Sequence, residues 1–177
     1  MAFYATDGKI GIDLDTVGSN CNYTPGMTVE GSQASEWVYV LASEALTQGA
    51  MVGIKQIGAG AVATMISGAR ITTASATPGF KFGFAQTAFQ VSQWGFVAAR
   101  GQGVLIRLLG GVGPATGTTL YPTDTTGCLS TASVSASQFQ IFGVYTDTSI
   151  SATAATAAAA TANLTFPLIR KPGLGGG

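Results

Sequence analysis

The side chains that could carry out chemistry are few in this sequence and lie far apart. The chain contains no histidine, so neither Ser-His-Asp nor Cys-His catalysis nor the commonest kind of zinc site can be built from it. Carboxylate pairs, such as Glu36 with Glu44, are too sparse to nominate the two acids of a glycosidase. We therefore expect a protein that is not an enzyme, with no catalytic residue, no cofactor and no metal.

Three carboxylates near the start of the chain, Asp7, Asp13 and Asp15, come nearest to a metal-binding pattern. A calcium loop of the EF-hand type alternates its acidic residues, follows them with a glycine and ends on a glutamate, and this spacing lacks that pattern. We interpret these carboxylates as solvated or as lying between subunits.

Glycine-rich runs at residues 101–103 and 110–114 are candidates for a phosphate cradle. They lack the Lys-Ser/Thr pair of a P-loop and do not stand between a strand and a helix. We predict turn glycines at both places.

The two cysteines, Cys21 and Cys128, have no C-x-x-C spacing. They could pair with each other, but residues 1–15 show no basic region followed by an apolar stretch, so we expect no secretory signal. We expect two buried thiols.

The composition indicates a protein that is part of a larger assembly. Charged residues are 9% of the 177, with 8 basic and 8 acidic side chains and a net charge of +0; a typical soluble domain has about a quarter charged. Such a surface lacks the charge repulsion that keeps monomers apart. We expect neither nucleic acid nor membrane as a partner, because there is no basic cluster and no apolar run of about 18 residues.

Residues 80–103 organise the predicted fold. Phe80, Phe82 and Phe84 alternate with small or polar residues, as in a half-buried strand, and Trp94 and Phe96 share one face of a second strand. The parity slips between these runs, which indicates bulges or tight turns.

Gly83 and Gly95 interrupt these strands beside bulky aromatic residues, which predicts a bulge or a close backbone approach. The residues that we assign to the core or to a bulge are Trp37, Phe82, Phe84, Trp94, Gly95 and Phe96.

Further short strands separated by Gly, Thr and Ser turns predict an all-β protein, a small β-barrel or sandwich with an extended N-terminal arm. The strands are expected near residues 37–41, 50–57, 61–66, 104–109, 120–121, 139–145 and 164–168. The domain boundaries that follow are an arm at 1–33, a barrel at 34–150, and an alanine-rich segment, final strand and glycine-rich tail at 151–177. We expect the barrel to fold without the arm.

Two segments near the C-terminus are harder to assign. The alanine-rich residues 151–162 fit a short docked helix and an ordered linker equally well. In the final strand, Pro167 restricts the pairing to an edge or a terminus.

The order of segments from residue 34 to 148 resembles the capsid decoration, or cement, proteins of tailed bacteriophages. The resemblance covers roughly two thirds of the chain and rests on five places in order: EWVYV at 36–40, QGAMVGI at 48–54, FGFAQ at 82–86, SQWGFV at 92–97 followed by Gly101, and TLYP at 119–122 with GCL at 127–129, closing on FGVY at 142–145. The arm and residues 151–162 have no counterpart in it.

The resemblance implies a non-enzymatic β-barrel, often a homotrimer, that settles on the outer surface of the expanded capsid and contacts the major capsid protein. On this interpretation the arm would contact the capsid or a sister chain through its apolar side chains, namely Phe3, Tyr4, Ile10, Ile12 and Leu14. Two alternatives stay open. A trimeric tail-fibre or adhesin module would show shaft repeats, and a β-barrel hydrolase or binding protein would carry polar groups in its mouth.

Overall fold

The computed structural model describes residues 12–32, 34–57, 65–70, 81–109, 120–123, 127–130, 140–146 and 158–170. All regular secondary structure in these ranges is β, which confirms the predicted all-β class. The described ranges contain no helix long and apolar enough to cross a membrane.

Ten strands make up the described fold. They are β1 (Thr28–Glu30), β2 (Glu36–Ala42), β3 (Met51–Ile57), β4 (Met65–Arg70), β5 (Phe82–Ala85), β6 (Trp94–Leu108), β7 (Tyr121–Pro122), β8 (Leu129–Ser130), β9 (Gln140–Thr146) and β10 (Ala158–Arg170). β4 overlaps the strand predicted at 61–66, of which residues 61–64 lie outside the described residues.

Five of these strands close into a ring, which makes the core of the fold a small barrel. β2 pairs with β4, β4 with β3, β3 with β5, β5 with β6, and β6 returns to pair with β2. The β2–β4 pair is parallel and the others are antiparallel. Ring closure leaves few unpaired edges among these strands.

β6 belongs to two sheets. Its first half, up to Arg100, pairs with β2, and its second half, from Gly101 to Leu108, pairs with β10, which pairs in turn with β9. The strand bends at Gly101 (φ 134°) and Gly103 (φ 67°), conformations that favour glycine. The predicted turn at 101–103 is therefore wrong, because these glycines bend a continuous strand. Residues 110–114 lie outside the described residues.

Both faces of β2 and β5 are buried, because alternate residues enter two different clusters. Along β2, Trp37 and Tyr39 join a cluster that includes residues of the second sheet. Val38 and Val40 join a cluster drawn from the ring strands and the loops beside them. We take the latter to be the ring interior, where small side chains fit.

β5 covers most of the segment at residues 80–85, which the sequence predicts to be a half-buried strand. All of Phe82–Ala85 is buried, so the expectation of a half-buried strand is wrong. Phe82 and Phe84 face the larger cluster, while Ala85 faces the ring interior.

The described part of the arm is built into the barrel and is not a separate unit. β1 pairs with β2, Gly18 exchanges backbone hydrogen bonds with Trp94 at 3.0 and 2.7 Å, and Leu14 is 2% exposed within the larger cluster. The boundary predicted at residue 33 therefore separates segments that share one hydrophobic core.

The alanine-rich segment is neither helix nor linker where the structure describes it. Residues 158–162 begin β10, which pairs with β6 on one side and with β9 on the other. Ala160 and Ala162 are buried against the larger cluster, so tertiary packing overrides the helix propensity of alanine. Residues 151–157 lie outside the described residues.

Pro167 lies near the end of β10, beyond the last residue that pairs with β6, Leu164, so the predicted restriction to an edge or a terminus is confirmed. The β9 register shifts between Leu164 and Leu168, so the proline falls where the ladder is interrupted and its missing N–H is tolerated.

Candidate functional site

Four of the residues predicted to form the core are buried, and Trp94 is only partly buried. Trp37, Phe82, Phe84 and Phe96 are at most 3% exposed, whereas Trp94 is partly buried against the same cluster.

Gly95 pairs with Val40 in regular register, so the predicted bulge is absent there. The close approach is real but involves side chains, because a Cβ at this position would meet the Phe89 ring at 2.6 Å and Val17 Cγ1 at 2.8 Å. At Gly83 the approach is to backbone, with Ala98 O at 2.7 Å from the added Cβ. The register shift in this strand pair falls between Glu36 and Trp37.

The predicted contact residues of the arm separate into two groups. Phe3, Tyr4 and Ile10 lie outside the described residues. Ile12 is partly buried against the larger cluster, and Leu14 is buried in it. Leu14 is therefore a core residue of its own chain, and assigning it to capsid contact was wrong.

An aromatic group holds the arm against the barrel. Tyr39 on β2 stacks on Trp94 at the start of β6, with ring centroids 5.5 Å apart and an interplanar angle of 18°. Tyr23 of the arm meets Tyr39 edge-on at 5.2 Å and 89°. Phe96 lies 4.9 Å from Tyr39, centroid to centroid. These contacts fix the ring positions before any ligand arrives.

The hydroxyl of Tyr39 ties the arm backbone to this group. It accepts a hydrogen bond from Asn22 N at 3.1 Å and donates one to Asn20 O at 3.4 Å. Burial raises the pKa of Tyr39, so the hydroxyl stays protonated and can serve both contacts.

Asp13 organises the turn at the other side of the arm. Its Oδ2 accepts a hydrogen bond from Thr16 Oγ1 at 2.6 Å and its Oδ1 accepts one from Asp15 N at 3.0 Å. The Thr16 hydrogen bond, followed by that from Asp15, holds the pKa of Asp13 below its ordinary value. Burial, and then the neighbouring Asp13 charge, raise the pKa of Asp15.

These two groups of side chains line an open cavity of about 90 Å³ between arm and barrel, in which Asp13, Thr16, Asn20 and Asn22 are exposed. Its lining residues are Asp13, Thr16, Gly18, Asn20, Asn22, Tyr23, Tyr39 and Trp94. They offer one carboxylate, amides, hydroxyls and aromatic rings, a set suited to binding. Within the described ranges, no group of three or more His, Cys, Asp or Glu side chains is placed to hold a metal ion.

Sequence reasoning missed this cavity. Asp13 and Thr16 carry a local signal, since an aspartate that bonds residues two and three positions ahead is a common turn device. Nothing local connects that turn with Tyr39 and Trp94, because the Gly18–Trp94 pairing brings them together.

The cysteines also depart from expectation. Neither is in a disulfide, Cys128 is buried as predicted, and Cys21 is exposed. The Cys21 thiol donates to Tyr23 O at 3.2 Å at the protein surface.

No protein-family model, no curated protein and no solved structure matches this chain.

Proposed function

We propose that the chain is a structural protein of a tailed-phage virion, made in the host cytoplasm, that binds the outside of the assembled capsid. There it joins neighbouring capsomers and stabilises the shell against internal DNA pressure. It needs no catalytic step, and its partners are the major capsid protein and further copies of itself, in the form of a homotrimer.

This proposal rests on where the segments that resemble capsid decoration proteins lie in the fold. They fall in chain order on or beside β2, β3, β5, the start of β6, β7 with β8, and β9. Four of these strands, β2, β3, β5 and β6, belong to the closed ring. The segments that suggest the family are thus elements of one sheet system and not scattered loop matches.

The loop between β5 and β6 gives the proposal a contact point. Val91 is 58% exposed at its tip, and Tyr145 on β9 is 47% exposed. The loop is held on both sides: Leu46 and Phe89 exchange backbone hydrogen bonds at 2.9 Å, and Ser92 N donates to Ala42 O at 2.8 Å. A rigid loop with an apolar tip loses little conformational entropy on docking.

A cement protein works by binding the assembled lattice better than its free parts. An oligomer that contacts several capsomers gains through effective concentration, so modest contacts sum to firm attachment. Binding to the intact shell alone stabilises it by about 2.7 kcal/mol per site at a hundredfold excess over Kd.

The test compares phage particles made with and without this protein. We expect particles without it to assemble and take up genome, but to release DNA at lower temperature or on osmotic shock, and purified protein to co-sediment with them and restore them. Val91→Asp should weaken co-sedimentation more than Gln102→Asp, which adds the same charge at an exposed position on β6. If stripped particles resist heat as well as intact ones and the protein does not co-sediment, the cement function is wrong and the surface-adhesin alternative takes its place.

A further inference from the structure

The cavity between arm and barrel has the size of a small head group. Its volume of about 90 Å³ is well above the ~10–15 Å³ that one water molecule needs on the same measure. That space suits the end of an extended side chain in place of several waters.

The walls of the cavity favour a cation. Tyr23, Tyr39 and Trp94 line it, and the faces of aromatic rings attract positive charge. Asp13 is the one charged residue among the described lining residues. An anion would meet no basic side chain among those residues, and an apolar group would displace water from Asp13, Asn20 and Asn22 without replacing its hydrogen bonds.

Asp13 can accept further hydrogen bonds. Each of its oxygens accepts one bond within the turn, whereas an ionised carboxylate has about four lone-pair sites. The carboxylate is also held in place by Thr16 and by the Asp15 amide, so little ordering cost remains for a ligand to meet.

We propose that this pocket binds a primary alkylammonium group, with the ammonium donating to Asp13 and its methylene stem lying against Tyr23 and Trp94. The group has two possible sources, a lysine side chain of a partner protein or a free amine. The site goes beyond the proposed function and does not depend on it.

The experiment follows the two tryptophan indole N–H signals by NMR while n-butylammonium chloride is added to the full chain. The Trp94 signal should shift in a saturable manner. The Trp37 signal should stay, because Trp37 is 3% exposed and its Nε1 donates to Ser35 Oγ at 3.1 Å. Butan-1-ol, a neutral molecule of similar length, should produce no saturable shift, and added NaCl should weaken the ammonium response.

Variants separate the charge of Asp13 from its role in the turn. Asp13→Asn should weaken butylammonium binding by about tenfold, which corresponds to ~1.4 kcal/mol. Asp15→Asn makes the same change of charge outside the lining and should have a smaller effect. Thr16→Val removes a turn hydrogen bond but keeps the carboxylate, so it should weaken binding less than Asp13→Asn does.

Two outcomes would overturn the site. One is equal response to butylammonium and butanol, and the other is an unchanged affinity in Asp13→Asn with the fold intact. A third titrant, Nα-acetyl-lysine N-methylamide, distinguishes the sources. Binding as tight as that of butylammonium supports a partner's lysine, whereas weaker binding supports a free amine in the same pocket.

Discussion

The side-chain amide of Gln86 pairs with the backbone of Leu105 through both of its polar atoms. Nε2 donates to Leu105 O at 3.1 Å, and Oε1 accepts from Leu105 N at 2.9 Å. Nε2 also donates to Phe84 O at 3.3 Å. Gln86 follows directly after β5, so its side chain joins the end of β5, which pairs with residues 97–98 of β6, to the second half of β6.

Gln86→Ala should destabilise the fold by about 1–3 kcal/mol, because it leaves the partly buried N–H and C=O of Leu105 without these partners. Denaturant unfolding at equilibrium measures the difference. Gln102→Ala removes an exposed glutamine side chain from β6 and should change the free energy of unfolding by less than ~0.5 kcal/mol. Equal effects of the two changes would mean that the Gln86 pairing contributes nothing beyond surface contact.

Leu14→Ala should cost about 2–5 kcal/mol, the range for truncating a buried leucine, because Leu14 is 2% exposed in the larger cluster. Val91→Ala, at an exposed site, is the control and should cost little. Thermal unfolding followed by circular dichroism compares them.

Deletion of residues 2–33 should prevent stable folding, contrary to what the sequence pattern predicts. The deletion removes β1, the Gly18–Trp94 pair and the Tyr23 contacts with Tyr39 and Phe96. A cooperative unfolding transition at an unchanged midpoint in the truncated chain would contradict this expectation.

Gly95→Val should destabilise by about 2–4 kcal/mol through overpacking, because the added Cβ meets the Phe89 ring at 2.6 Å. Gly18→Ala is the matched control, since nothing lies within 4 Å of a Cβ at Gly18. Phe89→Leu should relieve part of the Gly95→Val cost, so the double variant should be less destabilised than the sum of the single variants. Strict additivity would place the strain elsewhere.

The two carboxyls of the arm turn should titrate in opposite directions from the ordinary aspartate value, with the pKa of Asp13 lowered and that of Asp15 raised. Asp13 thus stabilises the fold above its unfolded pKa and loses that contribution as pH falls through its folded pKa. The contribution of Asp15 to stability depends on pH in the opposite sense. Its pKa is higher in the folded state, so the ionised carboxyl destabilises the fold, and this cost disappears as pH falls. Carboxyl NMR titration measures both values. Thr16→Val should raise the pKa of Asp13, and no change would show that the Thr16 hydroxyl is not its partner in solution.

A thiol reagent should modify Cys21 in the folded protein and Cys128 only after unfolding, because Cys21 is exposed and Cys128 is buried. Counting reacted thiols before and after guanidinium addition measures this difference. Cys21→Ser should remove the native reaction, and rapid modification of both cysteines in the folded chain would contradict the packing around β8.

Local pattern was enough for the all-β class and for the strands with strong side-chain signals. Aromatic and β-branched residues alternate at residues 36–41 and 94–98, and both stretches are strands in the structure. Of the two glycines flanked by aromatic residues, Gly83 has the predicted close approach to backbone, whereas Gly95 is approached by side chains. These features depend on neighbours two to four positions away, which is what a sequence pattern records.

Tertiary structure decided what those strands pack against. Ring closure by the β2–β6 pairing buries both faces of β2 and β5, which alternation alone cannot distinguish from burial on one face. Pairing of β10 with β6 and β9 makes a strand of Ala158–Ala162, although alanine favours helix when isolated. The cavity beside Trp94 likewise exists because Gly18 pairs there and sets Asp13 beside Tyr39. In each case the hydrogen bonds and contacts that decide the structure join residues far apart in the chain. Their contribution to stability therefore cannot be inferred from the pattern of neighbouring residues.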